Sequence, residues 1–328
     1  MFYENFIEKK AGDGNVERTR RKRRRRVRWG RVFFALLFLF IIVGGIYSYF
    51  QYKQGLSMAS DGKFADDGTT FEQFQGSLPN NGEVNMLLLG SDSRGEKHSR
   101  TDSILIAHYD SKSKHPKIVS LMRDMYVDIP GHGKQKLNAA YAFGGPELLR
   151  QTIKQNFDID INYYAVVDFE GFSKIVDTIA PDGIEVTVPH DMSSGIGMTL
   201  HKGTQVLHGE QLLGYVRFRH DNMSDFGRVQ RQQEVVLKLK DQVASLNSVF
   251  KIPKLLGVMD PYIDTNLDTK SMMLLAKDVV TGNMKDVQSL RLPLDGSFEN
   301  KTYSGVGMVL DIDLDKNKEA LQEFLNDK

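Results

Sequence analysis

The stretch LLLGSDSRGEKHSRTDSILIAHYD, Leu87 to Asp110, holds two apolar runs separated by a polar, glycine-containing loop. Short apolar runs bounded by turn residues suit buried strands. Strands are therefore predicted at Val84–Leu89 and Ser103–Tyr109, with a third at Lys117–Leu121. Asp92 and Asp102 flank the loop at neighbouring strand ends. Two carboxylates so placed suit a hard cation such as Mg²⁺, which keeps waters and shares substrate phosphates. A solvated loop with surface ion pairs is the other reading of this stretch.

Further along, strands and helices alternate. Tyr163–Val167 and Ile184–Val188 read as strands, and Pro146 after Gly144-Gly145 reads as a helix start. Phe169–Ile179, Gly209–Val216, Arg228–Leu246, Asp268–Asn283 and Lys316–Leu325 read as helices, and Ser289–Leu292 as a strand. In Arg228–Leu246, Val236, Leu239, Val243 and Leu246 recur at helical spacing. The alternation predicts an α/β domain, a central sheet covered by helices on both faces.

Two further stretches carry chemistry. In SLMRDMYVDIPGHGKQKLNAAYAFGG, Ser120 to Gly145, Arg123 follows an apolar strand and Asp124 stands ready to orient it. In YVRFRHDNMSDFGRVQRQQEVV, Tyr215 to Val236, four arginines fall within fifteen residues. An extended segment would turn Arg217 and Arg219 the same way, as bidentate phosphate recognition favours. Ser224 or Asp225 would cap the helix that follows. Arg228 and Gln232 would then share a face near its positive end, where anions are favoured. His220 beside this cluster is a bystander or a general base. No Ser/His/Asp signature, metal-binding histidine pair or Walker-type phosphate loop is present.

The N-terminal part is of another kind. Val32 to Phe50, VFFALLFLFIIVGGIYSYF, has no charged residue over nineteen positions, roughly 28 Å of helix, close to a bilayer's hydrocarbon thickness. Before it runs RTRRKRRRRVRWGR, Arg18 to Arg31. Residues 1–31 hold 12 basic and 4 acidic residues, a balance of +8; the whole chain carries +1, so the remainder carries −7. Basic flanks stay cytoplasmic, which puts everything after residue 50 outside a cell membrane. The arginine run is read as a topology signal facing anionic lipid rather than nucleic acid. The 328-residue chain thus divides into a basic arm (1–31), a transmembrane helix (32–50), a polar stalk (51–82) and an outer catalytic domain (83–328). Cysteine is absent, which excludes disulfides, thiolate metal sites and a cysteine nucleophile.

The motifs NMLLLGSDSR, RTDSILIAHYD, SLMRDMYVDIPGHGKQKLNAAYAFGG and YVRFRHDNMSDFGRVQRQQ resemble the LytR-CpsA-Psr family, and the resemblance covers about Asn85 to Ser248. The resemblance implies transfer of an anionic glycopolymer, such as wall teichoic acid or capsule, from a polyprenyl-pyrophosphate carrier to peptidoglycan. It implies that Asp92 and Asp102 hold Mg²⁺. It implies that Arg100, Arg123, Arg217, Arg219, Arg228 and Gln232 bind the pyrophosphate, with Asp225 a further acidic member and the lipid in an apolar tunnel. Among these, Arg100, Arg123, Arg217, Arg219 and Asp225 are the expected catalytic set. Hydrolysis of the lipid pyrophosphate, and a membrane-bound regulatory role without catalysis, are the alternatives.

Overall fold

In the computed structural model, residues 29–58, 71–79, 82–91, 101–221, 224–245, 252–268, 271–273 and 286–327 are described. They fall into two units, one ending at Gly45 and the other beginning at Ile46.

The first two apolar runs form β1 (Glu83–Ser91) and β2 (Thr101–Asp110), an antiparallel pair. β3 (Lys117–Leu121) adds antiparallel to β2, and β6 (Tyr163–Asp168) lies parallel to β1 on its other side. β10 (Gln288–Leu292) runs parallel to β3 and β9 (Ile263–Thr265) antiparallel to β6. The result is a six-stranded mixed sheet in the order β10-β3-β2-β1-β6-β9. The carboxyl ends of β1, β3, β6 and β10 therefore share one edge with the start of β2.

Side-chain alternation gives the sheet two faces. Leu87, Leu89, Ile104, Ile106, Val119, Leu121 and Val166 point to one face and are almost fully buried. Helices α2 (Leu137–Phe157) and α7 (Leu314–Asn326) cover that face through Leu149, Ile153, Phe157, Leu321 and Leu325. The opposite face lies under α3 (Phe169–Ile179), α5 (Ser224–Ser245) and α6 (Ile252–Met259), where Val167 packs with Ile175, Ile179, Leu239 and Leu255. This covering is looser: Met86, Leu88, Ala107, Ala165 and Val167 are only half-buried. The mixed sheet with helices on both faces is as the alternation predicts.

α2 is kinked at Gly144 and Gly145, the latter at φ +63°, and Pro146 begins its second half. The ring of Phe71 fills the space a Cβ at Gly145 would need. Residues 71–79, within the segment read as a stalk, lie along the domain: Phe74 meets the Tyr164 ring at 4.8 Å and Gln75 N–H donates to Glu147 at 2.8 Å.

A second, smaller core joins the hairpin β7 (Ile184–Val188) and β8 (Gly203–Leu207) to α4 (Gly209–Arg217). Two further hairpins, β4–β5 (Tyr126–Ile129, Gly133–Lys136) and β11–β12 (Phe298–Tyr303, Gly307–Ile312), complete the described elements. The helix expected over Asp268–Asn283 falls mostly outside the described residues.

The apolar N-terminal segment lies within α1 (Trp29–Met58). From Leu37 to Phe50 its described large apolar side chains are exposed around the helix, Phe38 at 65% and Phe40 at 71%. The side chains of residues 29–36 and 41 lie outside the described residues. Among the described residues, no helix is long and apolar enough to cross a membrane. The last turns of α1 pack on α6. Positions 55 and 257 are both glycine, and a Cβ on either would stand 2.1 Å from a backbone oxygen of the other helix.

Candidate active site

The site lies beyond the carboxyl edge of the sheet, where α/β folds place their ligands. Its first member comes from an irregularity of strand pairing. Gly90 pairs with Ser103, but Ser91 pairs with Thr101, so Asp102 is the extra residue of a β-bulge. A bulge re-aims its side chain and favours the neighbourhood of active sites. The Thr101 hydroxyl lies 2.9 Å from Gly90 O and 2.8 Å from Ser103 O, which pins the bulge from both strands. Asp102 thereby meets the guanidinium of Arg123.

Arg123 follows β3 directly. Its Nε donates to Asp124 at 3.2 Å and lies 3.4 Å from Asp225. Burial works against its charge, but Asp225, Asp102 and Asp124 raise its pKa above the ordinary arginine value. Asp124 also takes Lys136 at 2.7 Å, across the β4–β5 hairpin. Burial pushes the Asp124 pKa up, yet the Lys136 hydrogen bond and Arg123 outweigh it and hold it below the usual carboxylate value.

Asp225, in the first turn of α5, is the hub. Besides Arg123 it faces Arg219 at 3.8 Å and Arg228 at 3.6 Å. Arg228 is only 3% exposed, and its Nε makes no hydrogen bond. Burial, helped by Arg123 and Arg219, pushes its pKa down to about 10 against the pull of Asp225 and Asp102. A buried guanidinium with an unused donor calls for another anion, since buried donors are nearly always paired. Arg123, Lys136, Arg219 and Arg228 thus face three carboxylates in one cluster, with cations in excess.

The extended geometry expected for Arg217 and Arg219 is corrected. Arg217 is the last residue of α4, and Phe218 after it is extended, at φ −60° and ψ 135°. Phe218, 2% exposed in the smaller core, anchors the segment between its two arginines. Arg217 lies over the Phe169 ring at 4.2 Å. Phe169 follows β6, whose Asp168 caps α3 through Gly171 N–H at 2.6 Å. No sequence signal marks Phe169. α5 begins at Ser224 rather than Arg228. Gln232 is half-buried, one turn beyond Arg228.

Arg231, counted with the other arginines in the sequence, serves the frame. It is buried, pairs with Asp221 at 2.8 Å and donates to the carbonyls of Tyr215 and Phe218. His220 sits against the Phe218 ring and the Gly195 turn. Asp92 and Arg100 lie outside the described residues. Among the described residues, no three acidic or histidine side chains gather as a metal site. Asp102 alone offers one carboxylate, now engaged by Arg123.

The chain is similar to several known proteins over most of its length. The regulatory protein MsrR of Staphylococcus aureus (strain COL) is 43% identical over 282 residues, covering 86% of this chain and 85% of its own. The polyisoprenyl-teichoic acid–peptidoglycan teichoic acid transferase TagU of Bacillus cereus (strain AH820) is 33% identical over 268 residues, covering 80% and 86%. Among solved structures, TagT bound to LI-WTA superposes with a TM-score of 0.61 at 28% identity, over 81% of this chain and 99% of that one. The LytR-CPS2A-psr family protein YwtF (TagT) with bound octaprenyl pyrophosphate lipid gives 0.58 at 26%, over 79% and 100%. The sequence pattern of the LytR_cpsA_psr family matches residues 47–323, and the chain belongs to that family.

Proposed function

We propose that this protein transfers an anionic glycopolymer from a polyprenyl-pyrophosphate carrier to peptidoglycan. The observation that carries the reading is the buried Arg228, with its unused Nε, beside Arg123 and Arg219 around Asp225. Such a cluster suits a diphosphate, because guanidinium groups pair phosphate oxygens in a fixed fork. The loosely covered sheet face below it, with Met86, Leu88, Ala165 and Val167 half-buried, suits an apolar chain. A diphosphate with a long apolar tail satisfies both. The relatives named for teichoic acid transfer, and those with wall teichoic acid or octaprenyl pyrophosphate bound, support the same substrate class.

Phosphoryl transfer needs positioning and charge neutralisation more than covalent help. The acceptor hydroxyl forms a new P–O bond, and polyprenyl phosphate leaves. The guanidinium cluster would stabilise the leaving phosphate and the charge spread over the transferred group. Asp92 and Asp102 would hold Mg²⁺, since carboxylate oxygens suit that hard cation. The ion would add positive charge at the diphosphate.

In the same reading α1 is a membrane anchor. Its exposed apolar girth supports this, since a helix apolar all round belongs in lipid. The basic arm would stay cytoplasmic and the domain from residue 83 onward would face the wall.

The test uses the full chain in detergent with a lipid-pyrophosphate glycan, peptidoglycan oligomers and Mg²⁺, read by mass spectrometry. A phosphodiester-linked conjugate is expected, reduced at least about a hundredfold in Arg219→Ala and Arg228→Ala. Free glycan phosphate without conjugate would instead make the protein a hydrolase. Undiminished transfer by the double variant would overturn the site.

A further inference from the structure

An open groove of about 550 Å³ lies along α5 beside the arginine cluster. Phe226 and Val229 in its wall directly follow Asp225 and Arg228, about 100° round the helix, so groove and anion site adjoin on neighbouring faces of α5. Its volume falls within the range of about 300–1,000 Å³ usual for small-ligand sites. The lining combines two kinds of group. Phe226 and Phe298 stack at 5.5 Å with 26° between their planes, presenting ring surface from α5 and β11. Gln230 and Gln233 add amides. Gln233 is held in place, its Nε2 donating to Ser120 Oγ at 2.9 Å and Leu290 O at 3.3 Å. Gln230 is exposed at the mouth.

The charges decide what kind of ligand fits. The cation in the lining, Arg291, is paired with Asp295 and laid over the Phe226 ring at 4.4 Å. A polyanionic chain would meet a neutralised pair, whereas its diphosphate has the arginine cluster beside the groove. Stacked rings, neutral amides and a compensated ion pair suit an uncharged polyhydroxyl ligand. Pyranose C–H faces lie on aromatic rings, and hydroxyl and acetamido groups bond to amides and to a charged pair.

We propose that this groove binds the acceptor, a strand of N-acetylated aminosugars, and aligns it toward the diphosphate site on the neighbouring face of α5. This assignment rests on the transferase reading, but its test needs no turnover. A neutral N-acetylglucosamine tetrasaccharide is titrated calorimetrically into the full chain in detergent, without lipid donor. Saturable binding is expected, weakened at least about tenfold in Gln230→Trp, which fills the mouth, and less in Gln230→Ala. Inorganic pyrophosphate affinity, measured on the same samples, is expected to hold and certifies the fold. The proposal is overturned if the tetrasaccharide does not bind, or binds equally well to Gln230→Trp. It is also overturned if a poly(glycerol phosphate) chain displaces the sugar, for the groove would then belong to the donor. Loss of the transferase reading would appear separately, as transfer that survives Arg219→Ala and Arg228→Ala.

Discussion

Arg228 shows how a residue proposed to bind phosphate can weigh on the fold that holds it. Its folded pKa, near 10, lies below the ordinary arginine value. Folding therefore disfavours its charged form. The cost is in full force below pH 10 and fades as pH rises toward the unfolded value. A shift of this size corresponds to roughly 3 kcal/mol. Arg228→Met removes that cost and keeps the packing volume, though Asp225 loses one partner. Thermal denaturation at pH 7 is expected to show a Tm higher by several degrees, at about 2–4 °C per kcal/mol for a chain of this size. Pyrophosphate should raise the Tm of the native protein and leave that of the variant unmoved. A lower Tm in Arg228→Met would mean that the ion pair with Asp225 outweighs burial. Glu147 is the opposite case, a buried charge that is fully matched. It accepts from Gln75 N–H, from Arg150 at 2.9 and 2.6 Å, and from Gln151 at 2.8 Å. Burial raises its pKa, but those donors prevail and the net shift is downward. Its stabilisation is present above the unfolded value of about 4.5 and lost as pH falls through the lower folded value. Glu147→Gln should cost about 1–3 kcal/mol at pH 7. In urea unfolding the gap to the native protein should narrow from pH 7 to pH 3; a gap equal at both pH values would refute the assignment.

At the scale of elements, five of the six strands of the central sheet were legible and most of the hairpin strands were not. Lys117–Leu121, Phe169–Ile179 and Ile184–Val188 stand where apolar periodicity puts them, because each buries a face. The strands Gly133–Lys136 and Phe298–Tyr303 contain no buried residue and carry no such period. The Asp102 bulge was illegible for another reason, since it exists only in the register between two strands. The arginines divide in the same way. Composition groups Arg228 and Arg231, three positions apart, while packing sends one to Asp225 and the other to Asp221. The seam between α1 and α6 was equally hidden, because a glycine is silent until its neighbour is known. Gly257→Ala tests it. Helix propensity alone favours alanine by about 1 kcal/mol. A Cβ placed 2.1 Å from Tyr52 O must force the helices apart, and such overpacking typically costs about 1–3 kcal/mol. The clash should win: hydrogen exchange over residues 46–58 should accelerate while β1–β3 keep their protection. Unchanged exchange there would show that the two helices do not depend on this contact.

For the whole molecule, the charge distribution and the site make one argument. A carrier lipid with a diphosphate head is a membrane substrate, so an arginine cluster that grips it must work beside a bilayer. The chain concentrates a balance of +8 in its first 31 residues and −7 in the rest, with an uncharged apolar segment just beyond the basic arm. The cytoplasmic leaflet is anionic and holds basic segments, at about 1 kcal/mol per Lys or Arg near its surface. Moving that arm across the membrane would forfeit this and reverse the usual bias of basic flanks. The acidic remainder meets no such barrier. The N-terminus is therefore expected to stay inside and the domain to lie outside. The absence of cysteine makes this directly measurable, because any labelled thiol must be the one introduced. Single variants Asn15→Cys and Lys328→Cys are treated in intact cells with a membrane-impermeant maleimide, then again after permeabilisation. The C-terminal thiol should label at once and the N-terminal thiol only after permeabilisation. The reverse pattern would place the arginine cluster on the cytoplasmic side, away from any wall acceptor, and transfer to peptidoglycan would fail as a function even if pyrophosphate bound tightly.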